Sequence, residues 1–299
     1  MYSLVASVGY LGSEGYHIFT RDWLNTINPA TGLRPLPAFG QVDTKTSNGI
    51  SNFNAIQLSL QRHFANGFLL STNYMWSHSI NDGSVGAAEA VAPENIACRA
   101  CERGSSDQDI RQTFSASAIY ELPLGKGRRF LSGGGLAQTI LGGWELSGIG
   151  MARTGMPVNI LDSRKASDLP DGVSDNQRPN VVPGVSLTPP GGSTPNLWIN
   201  RAAFSTPTPG TWGNAGRNLV RGPGLWQMDI GLTKQFQPTE RIALRFRGEV
   251  FNLFNRAQYG NPIGNISDPN FGRITSLVNS GATGTGTPRQ IQFSVRVSF

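Results

Sequence analysis

Charge is scarce in this chain. Asp, Glu, Lys and Arg make up 15% of its 299 residues, against a usual ~25%. With 38% hydrophobic residues beside it, that low charge excludes a disordered, highly charged chain. Helical apolar spacing is nearly missing, and no window holds about 18 consecutive apolar residues, so no transmembrane helix is expected. The start, MYSLVASVGYLGSEG, lacks a basic segment followed by an apolar core, so the chain as given is expected to carry no signal peptide. Histidine is rare, and His17, His63 and His78 lie far apart. No metal-ligand spacing results, and no cofactor is expected. The net charge of +6 does not cluster. Its densest group, Lys126, Arg128 and Arg129, sits in a Gly-rich turn, and no nucleic-acid-binding signature accompanies it, so no nucleic acid is expected as a partner.

What is abundant is glycine and proline, 37 and 19 residues, and between them a period of two. Apolar residues alternate with polar ones in run after run, the pattern of a strand with two unlike faces. In 54–64, Ile56, Leu58, Leu60 and Phe64 oppose Gln57, Ser59, Gln61 and His63. In 67–79, Phe68, Leu70, Tyr74 and Trp76 oppose Ser71, Asn73 and Ser77. The runs 112–122, 225–236, 241–250 and 290–299 behave the same way, and two weaker ones lie at 3–10 and 143–152.

Eight runs of about ten residues are long for a soluble sheet, where strands of ~5–6 prevail. They match the ~9–11 residues of a tilted strand crossing a bilayer. Long and short connections alternate between them. The long ones are 11–53, 80–109, 153–224 and 255–288; the short ones are 65–66 and 237–240, with 123–142 intermediate. That alternation is what an outer-membrane barrel shows, with loops outside and turns in the periplasm. The expected fold is therefore all-β: an antiparallel transmembrane β-barrel segment of about eight meandering strands with long outer loops. Trp76, Tyr74, Tyr120, Trp144, Trp226 and Phe246 are expected to face lipid. The alternative fold is a soluble β-sandwich with the apolar face as its core, which a connection near seventy residues disfavours.

The wording of the sequence adds to this. NFNAIQLSLQRHFANG at 52–67, YMWSHSINDGS at 74–84, ERGSSDQDIRQTF at 102–114 and YELPLGKGRRF at 120–130 appear in that order. GGW at 142–144, RTGMP at 153–157, RPN at 178–180 and GNAGRNLVRGPG at 213–224 follow. The series closes with ERIALRFRGEVFNLFNRAQYGNP at 240–262, FGRI at 271–274 and RQIQFSVRVSF at 289–299. Across residues 1–299 the chain resembles the C-terminal barrel portion of TonB-dependent outer-membrane receptors, Oar-like branch.

That resemblance implies a transport or receptor protein of the cell outer membrane, acting on an unknown bulky solute. Its implied partners are outer-membrane lipid, the barrel-assembly machinery and TonB, the last only through an N-terminal plug that this sequence lacks. The family's N-terminal β-domain is missing too. A full barrel of this kind has about 22 strands, so the chain reads as a fragment or a truncated product. The last strand resembles the signal read by the assembly machinery, with Val295, Val297 and Phe299 in the alternating positions; Ser294 stands where the family often has glycine. An eight-stranded barrel closing on itself, with a structural or adhesive role, is the alternative.

Two features could hold other chemistry. Cys98 and Cys101 form the only Cys-x-x-Cys, and in an external loop a local disulfide is the expected state. A thioredoxin or zinc reading lacks its βαβ context or its further ligands. His78, Asp82, Asp107 and Asp109 flank one loop and could form a His/Asp hydrolase site, but Asp82-Gly83 is turn chemistry, and the other two acids lie in the loop motif of the resemblance. No catalytic residue is expected. Arg245, Arg247 and Glu249 share one face and are expected to form a lumen-facing ion-pair ladder.

Overall fold

The computed structural model describes residues 4–83, 92–125, 127–133, 135–239, 241–279 and 284–299. Lys126 of the basic turn, Ser3 of the first expected strand, and Ser84 and Glu240 of the quoted motifs lie outside the described residues. Among the described residues, eight long strands make one antiparallel meander: β1 (Leu4–Leu24), β2 (Val42–Ala65), β3 (Phe68–Asn81), β4 (Gln112–Glu121), β5 (Trp144–Arg153), β6 (Leu225–Thr239), β7 (Ile242–Phe251) and β8 (Gln290–Ser298). Each pairs with its sequence neighbours, and the two-residue strand Gly104–Ser105 adds to the upper end of β3. Among the described residues, no pairing joins β1 to β8; the sheet is open, with these two as its edges.

The register explains why the period of two was so strong. Val8, Leu58, Tyr74, Phe114, Ala152 and Trp226 lie in one cross-strand row. Phe68, Tyr120, Leu146, Leu232, Gly248 and Phe293 form another nearer the opposite end. Rows in between set Ser7, Ser59, Asn73, Ser115 and Met151 on the other face. A one-residue slip anywhere would put the polar set among the apolar one, so this register is strongly specified. Trp76, Tyr120, Trp226 and Phe246 are exposed as expected, while Tyr74 and Trp144 are half-buried against neighbours.

Two expectations need correction. Residues 11–53 are not a loop: β1 and β2 run on to Leu24 and from Val42 as a ribbon, leaving only 25–41 as connection. The outer half of that ribbon lacks the strict apolar–polar alternation of the other strands, and strands of 21 and 24 residues are about twice what a bilayer crossing needs. The β2–β3 turn is Asn66-Gly67, one residue later than read. Both have positive φ, 53° and 76°, the requirement of a two-residue type I′ hairpin turn, with Ala65 and Phe68 as the closing pair. The connection 122–143 contains a short helix, α1 (Leu136–Leu141). Among the described residues, no helix is long and apolar enough to cross a membrane, which leaves strands free to do so.

The long connections leave from one end of the sheet, and their described residues are largely folded. Connection 154–224 forms two small antiparallel pairs, Pro157–Val158 with Val220–Arg221 and Asn180–Val181 with Phe204–Ser205. Val158, Ile160, Ile199, Phe204 and Val220 pack with Ile266 and Phe271 of the last connection into an apolar core. The mostly irregular backbone of this connection is held by this core, which draws on the connections and not on the long strands.

Candidate functional site: the polar sheet face and its loop cap

The polar face carries charge that is sparse on the apolar face. On β7, Arg247 donates to Glu249 at 2.8 Å, and Arg245 donates to Gln235 of β6 at 3.1 Å. The expected ladder is thus one ion pair and one hydrogen bond to an amide oxygen. Near the short-turn end, a recess of about 650 Å³ is lined by Glu121, Glu145, Thr233, Gln235, Arg245 and Arg247. At the loop end, a second recess of about 410 Å³ gathers Ser51, Ser79, Asn81, Ser106 and Asp107. Hydroxyls, amides and charges in these two recesses suit hydrogen bonding to a polar solute, and a third recess on the same face, of about 280 Å³, adds Leu69, Ile119, Ile149 and Phe251 as apolar contacts.

The loops close over the outer end of this face. Gln227 of β6 accepts from the Gly286 N–H at 2.9 Å and is buried there. The cap is tied together by buried ions. Arg178 donates to both oxygens of Glu102, at 2.7 and 2.9 Å, and to Glu94 at 2.8 Å. Glu94 also accepts from the Arg178 and Gly213 N–H groups. Burial pushes the Glu94 carboxyl above the ordinary range, against the opposing pull of Arg178. Arg217 reaches the carbonyls of Glu102 and Asn81 at 3.0 and 2.8 Å. Through Glu102, Arg178 and Arg217 join the ERG, RPN and GNAGRN stretches that carried the family resemblance. Sequence reasoning quoted those stretches without seeing that they meet.

The rim acids are acceptors in this framework. Asp82 accepts from the Ile50 N–H at 2.9 Å. Asp107 accepts from Asn218 at 2.7 Å. Asp109, nearly fully buried, accepts from the Ser79 N–H at 2.8 Å, from His78 at 3.1 Å and from Arg221. Burial opposes its ionisation, but these hydrogen bonds outweigh it and hold its carboxyl below the ordinary value. The four residues weighed as a hydrolase site are dispersed: His78 and Asp109 touch, while Asp82 and Asp107 are engaged elsewhere.

Cys98 and Cys101 are joined in a disulfide with Cα atoms 5.3 Å apart, bracketing the turn that presents Glu102. Val295 and Val297 lie exposed on edge strand β8, and Phe299 is fully exposed just past its end. Lys234 is a residue that the period misplaces: it belongs to the apolar face, paired with Trp144 and Phe246. Its ammonium lies 5.6 Å from the Trp144 ring and bends to the Thr139 carbonyl at 2.7 Å and to that of Gly142. A cation on that face is tolerated because it snorkels to free carbonyls at the end of α1.

A family model described as outer membrane beta barrel domain matches residues 1–292. The chain belongs to that family. It is accordingly an outer-membrane protein, and the apolar rows of its sheet are its lipid face. Among solved structures, it is similar to the outer membrane transporter YddB from Escherichia coli, with 7% sequence identity and a TM-score of 0.48. That match covers 99% of this chain and 30% of the transporter's. No curated protein matches this chain.

Proposed function

We propose that the chain forms the C-terminal arc of a larger outer-membrane barrel that transports a bulky solute, a TonB-dependent transporter of the Oar-like kind. The observation that carries this reading is the pair of unpaired edges, β1 and β8, on a sheet that belongs in lipid. Backbone groups there must be paired within a closed sheet, so further strands are needed beside both edges. TonB then acts through a plug outside this chain, and the assembly machinery engages β8. The polar face lines the solute path and the cap receives the solute at the outer end. The role is binding and passage, with no reaction assigned to the rim acids and no cofactor invoked.

The test is to shorten the cap in the intact protein by replacing 159–219 with a short glycine linker. Solute binding should fall by at least tenfold while outer-membrane abundance stays within a factor of about two. Unchanged binding would remove the cap from the transport route.

A further inference from the structure

The connection 122–143, at the short-turn end between β4 and β5, is basic and apolar. It carries Lys126, Arg128 and Arg129 and not one acid. Its helix α1 sorts the side chains. At about 100° per residue, Leu136, Ala137, Ile140 and Leu141 share one side, and Gln138 and Thr139 take the other. The apolar side lies open: Leu136 is 82% exposed and Ile140 62%, with Phe130 and Leu131 exposed in the same connection. Arg129 stacks over the Phe130 ring, 5.4 Å from its centre.

Two side chains fix where α1 sits. Trp144 and Lys234 are paired across β5 and β6 and belong to the apolar rows of the sheet. The Trp144 indole donates to the Ile140 carbonyl at 3.0 Å, and the Lys234 ammonium to the Thr139 carbonyl at 2.7 Å. The helix is therefore held on the lipid-facing side of the sheet, not on the polar one. Its depth follows from the register. Trp226 pairs with Ala152 near the long connections, and Lys234 pairs with Trp144 near the short turns. Residues 144–152 span the two rows, and these nine residues match the ~9–11 of a tilted crossing. Trp144 thus marks the inner interface, on the periplasmic side where short turns lie, and α1 sits against it.

Resting on the outer-membrane placement of the sheet, we propose that connection 122–143 is an interfacial anchor. It lies in the periplasmic leaflet, with Leu136 and Ile140 among the outermost acyl carbons and its arginines at the lipid phosphates. A segment with an apolar side, several cations and no acid is complementary to such a surface. The leaflet is also continuous with the face that Trp144 and Lys234 present. The anchor holds this arc at a set height in the bilayer, through the same carbonyls that accommodate Lys234.

The experiment places a nitroxide on single cysteines in the full-length protein, with Cys98 and Cys101 still joined, in nanodiscs of phosphatidylethanolamine and phosphatidylglycerol. Paramagnetic resonance then reads collisions with oxygen, which concentrates in lipid, and with a nickel chelate, which stays in water. Leu136→Cys and Ile140→Cys alter exposed positions, so the fold is kept. Ser193→Cys, exposed in the cap, is the water reference, and Leu146→Cys, exposed on an apolar row, is the lipid reference. Labels at 136 and 140 should meet nickel at least about fivefold less often than the label at 193, and oxygen about as often as the label at 146. Nickel access equal to that at 193 overturns the proposal. Labels shielded from both reagents overturn it too, since a protein partner and not lipid would then cover α1. Either result leaves the transport reading standing. A label at 146 that is open to nickel overturns the membrane placement of the sheet, and the anchor with it.

Discussion

Arg178 and Glu102 meet in a buried two-pronged ion pair, 2.7 and 2.9 Å long, that joins two outer connections 76 residues apart in sequence. Removing one partner leaves the other charge buried and unmatched, which costs about 3–5 kcal/mol. Arg178→Ala should therefore loosen the cap while the strands stay intact. Limited proteolysis should cut within 154–224 in the variant under conditions that spare the native protein, and strand amides should keep their hydrogen-exchange protection. A cap as resistant as the native one would show that the apolar core alone holds it.

Asp109 gives the cap an acid sensitivity with a definite sign. Its carboxyl titrates below the ordinary value in the folded protein. It therefore contributes stability above the unfolded pKa of about 3.9, and that contribution is lost as pH falls through the folded value. Asp109→Asn should lower cap stability at neutral pH, and the gap from the native protein should close as pH drops below about 4. Proteolysis rates across that range measure it; a gap constant with pH would mean that Asp109 acts through shape alone.

Phe299 should matter for assembly and not for solute. Its strand presents Ile291, Phe293, Val295 and Val297 as an exposed apolar edge, ready for strand addition. Deleting Phe299 from the intact protein should lower outer-membrane abundance several-fold and leave binding per inserted molecule unchanged. Normal abundance by fractionation would reduce β8 to an ordinary edge strand.

The strands within the bilayer were legible because lipid on one side and water on the other force a period of two, as in Phe114–Tyr120 and Ile291–Val297. Where both sides meet water, that signal vanishes. Residues 12–24 and 42–53 pair as a ribbon through contacts such as Thr20 with Asn48, yet their composition reads as loop. The cap's ties were hidden for another reason: Arg221 and Asp109 stand 112 residues apart, and single charges in Gly- and Pro-rich stretches do not announce their partners. Lys234 broke the alternation visibly, but the α1 carbonyls that accommodate it appear only in the fold.

The central claim, that these eight strands are an arc of a larger barrel, is tested most directly by disulfide trapping between the sheet's edges. Cysteines replace Ala6 or Val8 on β1 and Phe293 or Val295 on β8, in every pairing, in the full-length protein within the outer membrane, in a background where Cys98 and Cys101 are serine. Arg247 with Ser294 and Gly248 with Phe293, neighbours across β7 and β8, serve as positive controls. The account predicts that at least one control oxidises and that no edge pairing does, because the edges are separated by other strands and a disulfide needs Cα atoms within about 7 Å. A disulfide between β1 and β8 would show eight strands closing on themselves and would contradict it.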